Sequence, residues 1–483
     1  MRSRFVFSAS AAAVLALAWY TPGQAQTWTA EIFHPPGTSE SWLYGIADGQ
    51  VVGAVFLPGG VGAAYVWTLD GIPTRLDGPG MTNVEVYGVS QGRQVGSATV
   101  DGVDMAVMWS GTPESVVDLE FPAAFRPLAT TIHKNVIGGY LFDPPNIYRA
   151  VAGTQQTGWE DLGNGTLYDT DGRRHVGHQK VGFDMFPVIW TGSRPIRLDI
   201  GVSVMPSDTS VSGIHDEEQV GTWLENLANQ KAVIWYGSGE SYEFLSQASY
   251  TQASDVYAGQ QVGTLNANRA MRWVHRAGVQ TSLQASLPSK YTASEAYSVW
   301  DDAEAFTYIS GTAWMNSTRH AVVWKSNNID TSNVTAMNVL PGIVVAGNLQ
   351  SIQNSEDDRL VLRPGIVFAS GQPPIVVYAE GTAAVQNPLR ISVSVESQAS
   401  APVIVQLVEF FDFMSQAYVP RNEDRLLLSD DVYRYDQVRN VSRFVEPGTG
   451  KMRAKISYRA SGPVFLFPWQ VRIDRIWWHQ LIS

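Results

Sequence analysis

The chain contains no cysteine. Thiol nucleophiles, thiolate metal sites, disulfide staples and lipidation of an N-terminal cysteine are all excluded by that one absence. Charged residues are few, at 16%, and acids outnumber bases by 45 to 33 for a formal net charge of −12. An acidic balance disfavours nucleic acid and anionic membrane surfaces as partners. Beyond the first 25 residues no apolar run approaches the roughly 20 residues that a spanning helix needs, so no membrane span is expected there. Stability without disulfides must come from core burial, and 483 residues suffice for two domains, or one large and one small.

The chain opens MRSRFVFSASAAAVLALAWYTPGQAQ. Arg2 and Arg4 precede an apolar run from Phe5 to Trp19, and Gly23-Gln24-Ala25 puts small residues at the −3 and −1 positions of a cleavage site. This pattern predicts a secretory signal peptide over residues 1–25 and a mature protein that is secreted or periplasmic. Removing the two arginines leaves 31 basic against 45 acidic residues, a net charge of −14.

A Val-Gly followed some residues later by Ala-x-x-Trp recurs along the chain. It stands as QVVGAVFLPGGVGAAYVW (Gln50–Trp67), QVGSATVDGVDMAVMW (Gln94–Trp109) and, degenerate, VIGGYLFDPPNIYRAVAG (Val136–Gly153). HVGHQKVGFDMFPVIW (His175–Trp190), QVGTWLENLANQKAVIW (Gln219–Trp235), QVGTLNANRAMRW (Gln261–Trp273) and ISGTAWMNSTRHAVVW (Ile309–Trp324) follow. Upstream lies a column of small-then-β-branched pairs: Gly45-Ile46, Gly88-Val89, Thr131-Ile132, Gly213-Ile214, Asp255-Val256 and Ser298-Val299. The fourth copy, near Tyr168-Asp169, aligns poorly. Each copy offers four short β-rich runs joined by Gly/Asn/Asp turns, with no helical periodicity between them. Seven such repeats of about 42 residues predict a seven-bladed β-propeller over residues 27–342. Either Thr29–Pro36 or Thr335–Leu340 would complete the last blade.

The stretches YGIADGQVVG…AAYVW and YGVSQGRQVG…DMAVMW resemble the HAF-type extracellular repeats of secreted bacterial proteins, over roughly residues 40–340. The resemblance implies a propeller and export, and it carries no catalytic residues that transfer to this chain.

After Pro341-Gly342 the tryptophan column stops. RLVLRPGIVF, PIVVYAE, LRISVSVES, VIVQLVEFF, MRAKISYRA and VFLFPWQVRIDRIWW read as strands. Alternation in LRISVSVES predicts one core face and one wet face. These strands predict a β-sandwich of jelly-roll or immunoglobulin-like kind over residues 343–483. DDRLVLRPGIVF, RFVEPGTGKMRAKISYRA and GPVFLFPWQVRID are similar to a C-terminal module of uncharacterised secreted bacterial proteins. A structural or docking role is expected of it.

GVSQG (Gly88–Gly92) matches the G-x-S-x-G pattern of a nucleophile elbow. Such an elbow needs a following helix and a base, whereas QVGSATV is a strand and the first repeat has Ala47 in the serine column. Ser90 is therefore expected to be a turn residue. The other copies place His133, His215, Tyr257 and Trp300 in that column, where they would ring one mouth of a central channel, either binding a small ligand or metal or facing solvent as ordinary turn residues; histidines on separate blades would stand too far apart to share an ion. YDTDGRRHVG lacks the third ligand and the glutamate of an EF-hand, and His175 and His178 should point to opposite faces of a strand. No metal or other cofactor is expected. Tyr140, Phe142, Tyr148, Phe183, Phe186, Trp223 and Trp314 fall in loops between second and third strands, where exposed aromatics stack on sugar rings or anchor a partner. The expectation is a non-catalytic binding or structural protein that contacts a glycan or protein partner outside the cytoplasm. The alternative is a secreted carbohydrate-active enzyme, a glycoside hydrolase or lyase, with acids at the channel mouth and an accessory carbohydrate-binding module.

Overall fold

The computed structural model describes residues 27–482 apart from 123–124, 144–146, 183, 201–208, 227–228, 275–277, 355–357, 370 and 463–467. The expected leader and Phe183 lie outside the described residues. Those described are almost wholly β, with helical turns limited to short 3-10 pieces such as Pro113–Ser115 and Val441–Phe444. No described helix is long and apolar enough to cross a membrane.

Antiparallel four-stranded sheets, with strands in chain order, cover residues 40–75, 81–118, 209–244 and 251–282. Residues 125–197 form one seven-stranded sheet, whose long strand Gly158–Thr170 closes the third sequence repeat and opens the fourth. Repeat seven, 293–327, supplies three strands, and Thr29–Ile32 adds the fourth by pairing with Lys325 to Val322. The sheets pack in chain order, and Glu40–Ala47 packs on all three strands of repeat seven, so the array closes on itself.

The apolar core lies between neighbouring sheets. Val52, Ala64 and Val66 of repeat one meet Val86, Ala98 and Trp109 of repeat two, and Trp67 and Leu43 meet Tyr308 and Val323 across the closure. Trp67, Trp109, Trp190, Trp235, Trp273 and Trp324 are each at most 1% exposed. In repeat three, Gly153 holds the tryptophan position. There Trp159, opposite it on the paired strand, packs on Phe121 and donates its indole N–H to the Leu119 carbonyl at 2.8 Å.

The innermost strand of every repeat carries one β-bulge at the same place. The register slips between Leu43 and Gly45, Val86 and Gly88, Ala129 and Thr131, and Leu167 and Asp169. It slips again between Val211 and Gly213, Ala253 and Asp255, and Ala296 and Ser298. A bulge leaves one residue unpaired and brings the bent strand close to its partner. This explains the Val-Gly signature. A Cβ on Gly53, Gly96, Gly139, Gly177, Gly221, Gly263 or Gly311 would stand 1.9–2.1 Å from a carbonyl oxygen of the bulged strand. It also puts Asp169-Thr170 in the fourth repeat's small-residue column, where sequence alignment was poor.

The C-terminal region forms two further antiparallel sheets. One orders Ile343–Ala346, Leu360–Arg363, Val471–Leu481, Arg390–Ala399 and Asp431–Gln437; the other Ala336–Val339, Ile375–Thr382, Lys451–Ala460, Ile404–Asp412 and Ala417–Arg425. Val393 and Trp478 of the first share one core cluster with Val377, Ile456 and Phe410 of the second. Strands before residue 343 also join these sheets. Ile329–Asn333 pairs with Asn333-opposed Trp477 through Leu481, and Ala336–Val339 pairs with Val377–Glu380. The second candidate for closing the ring thus belongs to the C-terminal sheets. LRISVSVES also departs from expectation: it has no wet face over its first half, because Ser392 and Ser394, both fully buried, lie under the repeat array.

Candidate functional site

The seven bulges place Tyr44, Tyr87, Thr130, Tyr168, Ser212, Ser254 and Tyr297 along the wall of a central cavity of about 1840 Å³. Immediately after each bulge, the small column stitches one repeat to the next. A Cβ on Gly45 would meet the Tyr87 carbonyl at 2.9 Å, and one on Gly213 would meet Asp255 at 2.9 Å. Where the column holds a polar residue, it bonds across the seam instead. Asp169 accepts from the Thr131 hydroxyl and the Ile214 N–H, both at 2.9 Å, and Asp255 accepts from the Ser298 hydroxyl at 2.7 Å and the Val299 N–H at 2.9 Å.

Tyrosines dominate one end of the cavity. The rings of Tyr44 and Tyr87 are 5.2 Å apart, and Trp42 lies 6.5 Å from Tyr44. Tyr87 donates to Glu85 and Tyr297 to Glu295, each at 2.6 Å. Glu85 and Arg319 are exposed at this rim, and the Arg319 guanidinium lies 5.1 Å from the Trp42 ring and 6.0 Å from that of Trp314. Burial, followed by the Glu85 hydrogen bond, pushes the Tyr87 phenol far up; burial also raises Tyr140, to about 12. These phenols stay protonated and keep their donor hydrogens.

The described aromatics expected in loops all lie within strands, because the second and third strands run on to short turns, and they divide into two sets. Tyr140 lines the cavity, with Tyr148 packed at 5.9 Å and Phe142 on Tyr148 at 5.1 Å. Trp314 stands at the rim beside Arg319. Trp223 instead stacks on Phe244 at 5.3 Å and packs against the core between repeats four and five, and Phe186 is covered by the Arg197 guanidinium at 3.5 Å. Those two are absorbed by packing. Tyr44, Tyr87, Tyr168 and Tyr297 were missed from sequence. Their signal was the residue before each small-then-branched pair, read as Tyr-Gly in both YGIADG and YGVSQG.

At the other end, Ser90, His133, His215, Tyr257 and Trp300 all line the cavity, but this end is covered by C-terminal strands rather than open to solvent. Ser90 is a structural residue: its hydroxyl donates to Asp48 and accepts from the Lys134 N–H, both at 3.1 Å, tying repeats one, two and three together. Trp300 stacks on Tyr308 at 5.8 Å. Burial lowers His133 to about 4, so its imidazole is neutral.

His215 behaves oppositely. Burial alone would lower it, but the Asp436 carboxylate at 3.6 Å and Asp216 at 3.8 Å outweigh that and raise it to about 9. Asp436 and Asp301 are the centre of a buried ionic network between the repeats and the C-terminal sheets. Arg434 reaches Asp436 at 3.0 Å and bonds to Asp301, while Arg390 donates to Asp301 at 2.9 Å and to the Ala258 carbonyl at 3.0 Å. Lys134–Asp431 at 3.1 Å, Arg173–Asp424 at 2.6 Å, Asn422–Asp216 at 2.6 Å and Arg475–Glu304 at 3.1 Å surround it. His215, Asp216 and Asp436 lie within 4.8 Å of one another and could in principle surround a cation. The donor set argues for an ion pair, because Asp436 is already engaged by Arg434, Arg390 and Ser392 and His215 carries its proton.

These shifts give stability a pH dependence. His215, raised to about 9, and Asp169, raised by burial and Asp255 to about 7, bind their protons more tightly folded than unfolded. Their contributions are complete below the unfolded values and lost as pH rises through about 9 and about 7. Asp301 lies at about 2 because the Arg390 and Arg434 charges outweigh its burial, so its contribution is lost as pH falls toward that value. His133 and His175, lowered by burial to about 4, act in the opposite sense and gain stability as pH rises toward the ordinary imidazole value. Thermal melts should therefore peak between about pH 6 and 7 and decline toward about pH 9.5. A melting temperature that rises from pH 6 to pH 9 would contradict this.

No family model matches the chain, and no curated protein does. Solved structures do. The β-propeller domain of the Trilobed protease from Pyrococcus furiosus matches at 8% identity and TM-score 0.43, covering 59% of this chain and 95% of that one. Polysaccharide lyase Uly1 matches at 10% identity and TM-score 0.37, covering 60% and 90%. TolB from Acinetobacter baumannii matches at 11% identity and TM-score 0.32, covering 59% and 79%.

Proposed function

We propose that this chain is a secreted, non-catalytic, glycan-binding protein. In this reading the repeat array is a seven-bladed β-propeller, and the C-terminal sheets form a β-sandwich docked on one mouth of its channel. A single observation carries the binding role: bulge tyrosines from four repeats, joined by Tyr140, converge on the end of the cavity that the C-terminal sheets leave uncovered. Sugar rings present C–H faces that pack on aromatic planes, and the phenols with Glu85 and Glu295 supply donors and acceptors for hydroxyls. The signal-peptide pattern supports an extracellular address. Binding assays on the mature protein, first against a glycan array and then by calorimetry, test this reading. Tyr44→Ala combined with Tyr87→Ala should weaken the best glycan at least about tenfold, with the melting temperature kept. Unchanged affinity in that variant would sink the proposal.

A hydrolase or lyase reading has one observation in its favour. Asp169 and Asp255 both line the cavity with their carboxyl pKa values raised, first by burial. Their oxygens, however, already accept hydrogen bonds from Thr131, Ile214, Val256, Ser298 and Val299. Release of reducing ends from a polysaccharide panel, abolished by Asp169→Asn, would favour the enzyme.

A further inference from the structure

Resting on the glycan reading, we propose that the cavity selects amine-bearing, cationic glycans over neutral and acidic ones. Eleven carboxylates line it against five lysine and arginine side chains. Near the covered end these charges are largely paired, as in Lys134–Asp431 and Arg434–Asp436. Asp48, at the same end, is held by the Ser90 hydroxyl and the Gln91 N–H rather than by a cation. Hydrogen bonds of that kind solvate a carboxylate but leave its charge. Midway along the wall, burial raises the carboxyl pKa of Asp169 to about 7 and raises that of Asp255, so the negative charge an incoming ligand meets first is at the rim.

The rim adds two features of the same sign. Glu85 and Glu295 are carboxylates beside the entrance, and each accepts a tyrosine hydroxyl, fixing the phenol and making its ring more electron-rich. Aromatic faces then attract a cation placed over them. The rim already holds one in this way, the Arg319 guanidinium between Trp42 and Trp314. A protonated amino group on a sugar would gain cation–π contact and carboxylate attraction together. An acidic sugar would meet repulsion from the same groups.

The test is calorimetry on the full mature chain with three probes: a glucosamine tetramer with free amines, its N-acetylated counterpart and a galacturonate tetramer. The free-amine oligomer is expected to bind about tenfold tighter than the N-acetylated one at low salt. The galacturonate should bind weakest. The amine advantage should shrink at about 0.5 M salt, where screening is strong. Glu85→Gln with Glu295→Gln should weaken the amine oligomer more than the N-acetylated one, and Glu295→Gln alone gives a milder variant whose fold is checked by its melt. Equal affinities, or preference for the N-acetylated or acidic oligomer, would overturn this inference while leaving glycan binding intact. Binding of none of the three would overturn this inference too, and an array on which no glycan binds would overturn the glycan reading with it.

Discussion

Arg434→Met should destabilise the protein by roughly 3–5 kcal/mol, although Arg434 touches no expected ligand. The guanidinium bridges Asp301 of repeat seven and Asp436 of the C-terminal sheets, and both carboxylates are buried. Removing it leaves two buried anions to one remaining guanidinium, Arg390, and to the His215 imidazolium on Asp436. A buried charge stripped of its partner retains its desolvation penalty and loses the attraction that offset it. Asp301→Asn in the same chain should therefore recover part of the loss, and a double-mutant cycle in urea would read that coupling. A loss below about 1 kcal/mol would place the pair among ordinary surface bridges and contradict a docked C-terminal region.

Gly221→Ala should cost about 3 kcal/mol or more, well beyond what the helix or strand propensities of glycine and alanine account for. Its added Cβ would lie 1.9 Å from the Ser210 carbonyl oxygen and 2.8 Å from the Val211 Cα, both backbone atoms that cannot rotate away. The strand would have to leave the bulge register, and the Ser212 and Gly213 positions along the channel would move with it. Gly92→Ala is the matched control. Gly92 lies in a turn at φ +74 with nothing within 4 Å of the added carbon, so only its backbone conformation is strained, by about 1 kcal/mol. Equal losses at the two positions would show that contact with the bulged strand is not what the Val-Gly glycine is for. Equilibrium denaturation measures both.

The contrast between those glycines bears on what could be read in advance. The tryptophan and Val-Gly columns were legible because burial between sheets and close approach at a bulge favour one residue type each: the glycine recurs in all seven copies and the tryptophan in six. The bulge column was not, because an unpaired residue facing a cavity is free to vary: it is tyrosine in four repeats and threonine or serine in the others. Ser90 could be recognised as a turn residue because its sibling is Ala47. Its partners, Asp48 and the Lys134 N–H, come from two other repeats. His133 and His215 look alike in sequence and diverge in the fold, since only His215 meets a carboxylate from 221 residues further along the chain. Non-local docking of that kind leaves no periodic trace. For the same reason the end expected to be an open mouth is the covered one, and the bulge tyrosines lie at the opposite end.

The most direct test of the account is hydrogen exchange on the mature protein with and without a saturating glycan from the array. Protection is expected in peptides carrying Tyr44, Tyr87, Tyr140 and Tyr297. Peptides spanning Asp216-Glu217 and Asp431–Gln437, which are already shielded by docking, should be unchanged. Protection confined to the C-terminal sheets, with the tyrosine peptides unaffected, would contradict the account.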